Sequence, residues 1–419
     1  MMEESYGWYV GIDWGSEAHE VCCMDAEGGV VERRSFRHSG QGLKELSDRL
    51  TGLAAGERGS VAVAIEVPHG AVVETLLERG FAVYSLNPKQ ADRFRDRFSP
   101  AGAKDDRRDA MVLASALRTD RQHFRPLVMQ PEAITRLREL VRVDEELRGD
   151  KGRLTNQLYA QLLRFYPQIL ELSSGADDPW VWELLRRAPT PERGARLREA
   201  TIAQILRRHR IRRLTAADVR KVLAVPALFV APGTAQAAAE HIDLLLARLG
   251  LVHDQIRHTE RRTDELFEAM SAAPDARGRE HRDVDILQSM PGIGRKISAT
   301  MLAMAPEAIE KADYDGMRTR WGVAPVTVAS GKSRRVQMRR ACDARLSRAV
   351  NAWAGIAAMR DPAAKAHYAR LRASGHNHNR ALRGVADRLL RILCAMLKNA
   401  TLYDPNRCPH HDGVPAQAA

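Results

Sequence analysis

The sequence predicts an α/β domain built on a mixed sheet, then a long helical region, then a mainly helical C-terminal domain. Three observations predict it. Residues 1–128 carry three consecutive strand patterns followed by alternating helix and strand patterns. Apolar residues recur at heptad spacing between Ala235 and Met270, and the turn Pro291-Gly292-Ile293-Gly294 joins two short apolar helices beyond it. A chain of 419 residues, 44% of them hydrophobic, can supply cores for two or three such domains.

The first strand runs from Tyr9 to Asp13, turns at Gly15-Ser16, and returns through His19 to Met24; the turn Glu27-Gly28-Gly29 leads into a third strand, Val30 to Arg34. Leu43, Leu46 and Leu50 mark a helix over Gln41–Leu53. Val61-Ala62-Val63-Ala64-Ile65 is a continuous apolar run of the kind buried at the centre of a sheet. A helix (Ala71–Arg79), a strand (Phe81–Leu86), a helix started by Pro88 and an acidic helix opening at Asp105 complete the domain. From Pro131 to about Leu172, Ile134, Leu137, Val141, Leu147, Leu154, Leu158, Leu162 and Phe165 form the stripe of a long amphipathic helix. In Ala235–Met270, Ile242, Leu249, Ile256, Thr263 and Met270 hold one heptad position and Leu245, Val252, Thr259 and Leu266 the other. That spacing suits a coiled coil between protomers, an antiparallel hairpin with the first long helix, or ordinary packing within the chain. The expected domains are therefore 1–128, 129–280 and 281–405, with a disordered tail, 406–419.

The 65 Lys and Arg exceed the 53 Asp and Glu, for a formal charge of +12. A polyanion, nucleic acid first, is the expected partner. Within the insert 173–233, the run Arg207-Arg208-His209-Arg210-Ile211-Arg212-Arg213 lies in a region expected to be helical, with no acidic run nearby, and is read as a phosphate-contacting face. Met1–Ser5 lacks the character of a secretory signal, and the best apolar run, Leu389–Leu397, is interrupted by Arg391 and is too short to span a bilayer. No membrane partner is expected on that ground, and five cysteines, odd in number and without a C-x-x-C pair, fit a reducing cytoplasm. Cys408-Pro409-His410-His411 could bind a soft metal, but at a chain end it is read as part of the tail.

Four carboxylates stand out. Asp13 ends the first strand, Glu66 follows the central strand, and Asp106 and Asp109 share a helix face. Together they would repel unless divalent cations, Mg²⁺ or Mn²⁺, lay among them. Two such ions, on the order of 4 Å apart, clamp the attacking and leaving oxygens of a phosphodiester. Taken singly, each acid also has an ordinary explanation as a turn former or a helix N-terminal charge. Gly292, Gly294, Arg295 and Lys296 occupy a helix-hairpin-helix turn, which suits a clamp on the DNA backbone or a plain connection between helices. Ser330-Gly331 ends a proline-bounded extended run among Lys332, Arg334, Arg335 and Arg339. By itself this is ordinary turn chemistry.

Gly11-Ile12-Asp13, Ile65-Glu66 and Lys104-Asp105-Asp106-Arg107-Arg108-Asp109-Ala110 resemble the ribonuclease-H-like, RuvC-type domain of bridge-RNA-guided insertion-sequence transposases, relatives of the Piv-type DNA invertases. The resemblance implies an Asp-Glu-Asp-Asp tetrad at Asp13, Glu66, Asp106 and Asp109, with Asp105 the alternative third member. Trp321-Gly322-Val323-Ala324-Pro325, the Ser330-Gly331 pair and a Tyr368–Pro405 helix ending Tyr403-Asp404-Pro405 resemble the C-terminal transposase domain of the same family. There the serine is the nucleophile, which carries over to Ser330; a glycine common in the family is replaced within Arg339-Arg340-Ala341-Cys342. The resemblance further implies a covalent phosphoserine bond to DNA, target and donor DNA as substrates, an element-encoded noncoding bridge RNA as guide, a dimer to tetramer in which tetrad and serine meet across protomers, and a bacterial, nucleoid-associated location. Two other classes fit the residues: a metal-dependent Holliday-junction-type endonuclease with Ser330 as a turn residue, and a non-catalytic coiled-coil nucleic-acid scaffold.

Overall fold

The computed structural model describes residues 6–98, 105–173, 175–273, 281–331 and 333–405. Lys104, Lys332, Cys408, His410 and His411, the first five residues and the 406–419 tail lie outside them. The chain divides into two compact units, residues 1–131 and 132–419.

The first unit is a sheet with helices. Its strands are β1 (Trp8–Asp13), β2 (Ala18–Asp25), β3 (Val30–Arg37), β4 (Val61–Ile65), β5 (Ala82–Ser85) and the two-residue β6 (Arg125–Pro126). They lie in the order β3-β2-β1-β4-β5-β6. β1, β4 and β5 are parallel, while β2, β3 and β6 pair antiparallel. The helices are α1 (Gly40–Leu53), α2 (Ala71–Glu78), α3 (Pro88–Asp96) and α4 (Asp106–Asp120). β4, all five residues buried, is the middle of the sheet, as its apolar run requires. Alternation splits the core across it. Val61, Val63 and Ile65 pack with Leu43, Leu46 and Leu50 of α1 on one face; Ala62 and Ala64 pack with Leu113 and Leu117 of α4 on the other.

The second unit is helical apart from one hairpin. α5 (Glu132–Phe165) and α10 (Thr234–Ala272) are the two long helices. Leu137 shares a core with Leu266 and Phe267, whereas Leu154, Leu158 and Leu162 share another with Ile242, Leu245 and Leu249. The N-terminal half of α5 thus meets the C-terminal half of α10, so the heptads form an antiparallel hairpin within one chain. Between them lie α6 (Pro179–Arg187), α7 (Pro191–Ala195), α8 (Glu199–Arg208) and α9 (Ala216–Leu223), of which α6, α8 and α9 contribute to the second of these cores. α11 (Asp283–Ser289), α12 (Arg295–Met304), α13 (Pro306–Glu310) and α14 (Tyr314–Arg320) lead to the strands β7 (Val326–Ser330) and β8 (Ser333–Gln337). α15 (Ala344–Arg360), α16 (Pro362–Ala373) and α17 (His378–Asn399) close the chain.

Three expectations change. The basic run is not a helix: Arg207 and Arg208 end α8, Arg210 takes a left-handed φ of 55°, and Ile211–Leu214 are irregular. The Tyr368–Pro405 helix is broken at 374–377, where Gly375 adopts φ 83°, a conformation that ends α16 and that L side chains rarely take. The extended run at Val326 is half of a hairpin whose second strand, Ser-Arg-Arg-Val-Gln, lacks the apolar alternation that would announce it. Among the described residues no helix is long and apolar enough to cross a membrane.

Candidate active site

The carboxylates are brought to one edge of the sheet by register and by a glycine. β1 and β4 are parallel neighbours with Ile12 opposite Ile65, so Asp13 and the next residue, Glu66, leave adjacent strand ends at the same level. Gly11 lies two residues before Asp13 on the same face. A Cβ there would stand 2.5 Å from the Ala114 amide nitrogen, 2.9 Å from Leu113 Cβ, and closer still to the Ala110 carbonyl oxygen. Only glycine lets α4 cross β1 so tightly. The crossing carries the start of α4, where Asp105 caps the helix by accepting from the Arg107 amide at 3.3 Å, onto the face that Asp13 shares.

The four acids differ in environment. Asp109 is buried, at 4% exposure, while Asp106 is exposed and Asp13 and Glu66 are half-buried. Arg95 of α3 donates from Nε to Asp109 Oδ1 at 2.6 Å and from Nη1 to Asp92 Oδ1 at 2.7 Å. Burial opposes the charge on Arg95, and its bonds to Asp109 and Asp92 outweigh that and hold its pKa above the usual guanidinium value. Among the described residues no three His, Cys, Asp or Glu side chains converge closely enough to hold a metal ion. The donor set itself, carboxylate oxygens at one sheet edge, is the chemistry that hard divalent ions take, and the cation found at Asp109 is a guanidinium.

Sequence reading missed two neighbours of this edge. Glu20 stands directly across from Asp13 in the antiparallel β1–β2 pair, hence on the same face, and lies 3.6 Å from Arg107 Nε. On the opposite face His19 is fully buried. Its Nδ1 accepts from the Gly15 amide at 3.4 Å, which leaves Nε2–H to donate to His38 Nδ1 at 3.0 Å. Burial, then the neighbouring His38, push the His19 pKa below the ordinary value of 6.5. The signal for Glu20 was its position after a tight turn, legible only once the register is known.

Ser330 is built differently. The Asp343 amide donates to the Arg320 carbonyl at 2.8 Å, closing the base of the β7–β8 hairpin. Gly322, at φ 76°, lies where a Cβ would come within 2.9 Å of Cys342 Sγ and Ser347 Oγ. Above that base every residue from Thr327 to Gln337 described here is exposed. Ser330 pairs with Ser333 across the tip and Val328 with Arg335, so Ser330, Ser333 and Arg335 share one face, while Arg334, opposite Ala329, points to the other. Arg339 is half-buried below.

Several of the other nucleic-acid candidates make ion pairs or hydrogen bonds within the chain. In the basic run, Glu183 of α6 takes Arg208 at 2.6 Å and His209 at 2.9 Å and the Leu172 carbonyl accepts from Arg213 at 2.9 Å, while Arg207, Arg210 and Arg212 are exposed. Arg295 is paired with Asp264, and Lys296 lies 3.9 Å from Asp144. Gly292, at φ 85°, packs on α15, where a Cβ would stand 2.8 Å from the Ala357 amide nitrogen, and Trp353 donates to the adjacent Pro291 carbonyl at 2.9 Å. Its missing side chain serves this packing. Gly294 is exposed, with open space around it, at the N-cap of α12.

Residues 10–167 match a DEDD-type IS110 family model described as "Transposase", and residues 284–369 match one described as "Transposase IS116/IS110/IS902 family". The chain is 30% identical over 412 residues to the IS117 mini-circle protein of Streptomyces coelicolor, covering 97% of this chain and 98% of that one. It is 49% identical over 229 residues to the y4uE protein of Sinorhizobium fredii, 54% of this chain and 62% of that protein's length. The IS900 insertion-element protein of Mycobacterium paratuberculosis is 25% identical over 406 residues, 95% of this chain and 97% of that one.

Proposed function

The chain belongs to the IS116/IS110/IS902 family of transposases, and from that premise we propose that it exchanges DNA strands through a covalent bond between Ser330 and DNA phosphate. The observation that carries the reading is the hairpin: a serine at its exposed tip, within the matched C-terminal segment, with Arg335 on the same face. Ser330 Oγ attacks a backbone phosphorus. Its proton leaves to water or a nearby base, the P–O bond to the deoxyribose oxygen breaks, and that oxygen takes a proton from water to become the hydroxyl that later attacks and releases the serine. Arg335 offsets the charge that builds on the non-bridging oxygens. Because one ester replaces another, no outside energy source enters.

Asp13, Glu66, Asp106 and Asp109 of the RuvC-like first unit would hold Mg²⁺ or Mn²⁺, which supplies Lewis-acid polarisation of a phosphate and stabilises a leaving oxygen. Their common edge, fixed by register and by Gly11, supports that assignment. Target and donor DNA are the substrates, an element-encoded noncoding RNA is the proposed guide, and the working form is a homo-oligomer of two to four chains. Incubating the protein with donor and target DNA, Mg²⁺ and its co-purified RNA should give a detergent-resistant protein–DNA adduct that Ser330→Ala abolishes. Cleaved ends made by water with no adduct would favour hydrolysis by the carboxylates alone. Sequencing of RNA that co-purifies from the native host tests the guide: a structured RNA encoded beside the gene is expected.

A further inference from the structure

We propose that Arg95 is the residue that sets the ion affinity of the carboxylate edge, occupying Asp109 with its guanidinium in the place a divalent cation would take. The inference rests on the carboxylate reading given under Proposed function. Asp109 is the most buried of the four acids, and a buried carboxylate without a counter-charge is strongly disfavoured. Arg95 provides that charge from outside the tetrad. Its side chain is only 19% exposed, and it is braced by Asp92, one turn earlier on α3. The bond from Nε to Asp109 Oδ1 commits one oxygen of the acid to a cation that cannot lose its proton in this range.

An ion and a guanidinium at one carboxylate repel, so each weakens the other's hold. Divalent-ion binding therefore displaces Arg95 from Asp109. A nucleic-acid phosphate beside α3, which carries Lys89, Arg93 and Arg95 against Asp92 and Asp96, would take the freed guanidinium bidentately. Ion and nucleic acid then favour each other's binding, with Arg95 as the coupling.

Mn²⁺ titration of the full chain, followed by the spin-resonance signal of free Mn²⁺, reads this directly. In the absence of DNA, Arg95→Gln should bind Mn²⁺ about tenfold more tightly than the parent or better, as expected when a competing charge is removed. Added DNA should tighten Mn²⁺ binding by a clearly larger factor in the parent than in Arg95→Gln, where only the phosphate's own attraction for the ion remains. Should Arg95→Gln fail to fold, Arg95→Lys keeps the charge while losing the simultaneous reach to Asp109 and Asp92, and a smaller gain is expected. Equal or weaker Mn²⁺ binding in the folded variant overturns the proposal while leaving the carboxylate site intact, provided Asp13→Asn still lowers Mn²⁺ affinity. Mn²⁺ binding that is indifferent to Asp13→Asn would overturn the site and this proposal together.

Discussion

The edge that carries Asp13 and the hairpin that carries Ser330 are opposite ways of holding a side chain. At the edge, position is enforced by a buried parallel strand pair and by a helix pressed onto a glycine with no room for a methyl group. At the hairpin, a short ladder stands on a closed base, and both of its faces meet solvent. A two-stranded ribbon without a packed face is marginal on its own. The backbone that carries Asp13, Glu66 and Asp109 is thus fixed by packing, while among the described residues no three of these acids converge on one point. The serine is held only through the base of its hairpin.

The sharpest test of that contrast replaces one group in each region. Ser330→Ala should remove all adduct formation, a loss of at least about a thousandfold, because no other group takes over a missing nucleophile. Its stability should stay within about 0.5 kcal/mol of the parent by thermal or urea unfolding, since nothing packs on the exposed tip. A measurable destabilisation would mean that the hairpin has a buried role. Gly11→Ala should do the reverse in kind. A methyl group at the α4 crossing should cost about 1–3 kcal/mol or more, read as a lower unfolding midpoint, and should weaken Mn²⁺ binding by displacing Asp109. Gly322→Ala, strained at φ 76° and crowded by Ser347, should cost about 1–3 kcal/mol and lower adduct yield without changing Mn²⁺ affinity.

The smallest effect is a pH dependence of the first unit. His19 is buried neutral and its folded pKa lies below the unfolded value near 6.5, so the unfolded chain binds more protons at acid pH. Its contribution to stability is fully present above about 6.5 and is lost as pH falls through the folded pKa. Unfolding midpoints recorded from pH 7.5 to 5 should decline for the parent and decline less for His19→Gln. Equal slopes would show that the pair with His38 does not report on folding.

Much of this contrast could be read before any coordinates. The order of strands and helices in the first unit follows from strong local patterns, above all the five-residue apolar run at Val61 and the glycine turns on either side of β2. The heptads of α10 announced a long helix but left its partner open, because the same stripe suits a neighbour chain or α5. Asp13 and Glu66 were legible as strand ends; that they leave adjacent strands at one level is a fact of register. Arg95 and Glu20 were invisible because each matters through tertiary contacts within the chain, Arg95 to Asp109 and Glu20 to Asp13 and Arg107, that carry no spacing signal. Gly292 was legible as a tight turn, but the backbone it approaches is that of α15. β8 escaped notice because a strand exposed on both faces needs no apolar alternation.

Mass-spectrometric mapping of the protein–DNA adduct tests the central claim most directly. After nuclease trimming, the account predicts a nucleotide remnant on the peptide containing Ser330 and on no other, absent in Ser330→Ala and in Asp13→Asn. A remnant on a different residue, or strand exchange that proceeds with no remnant, would contradict it.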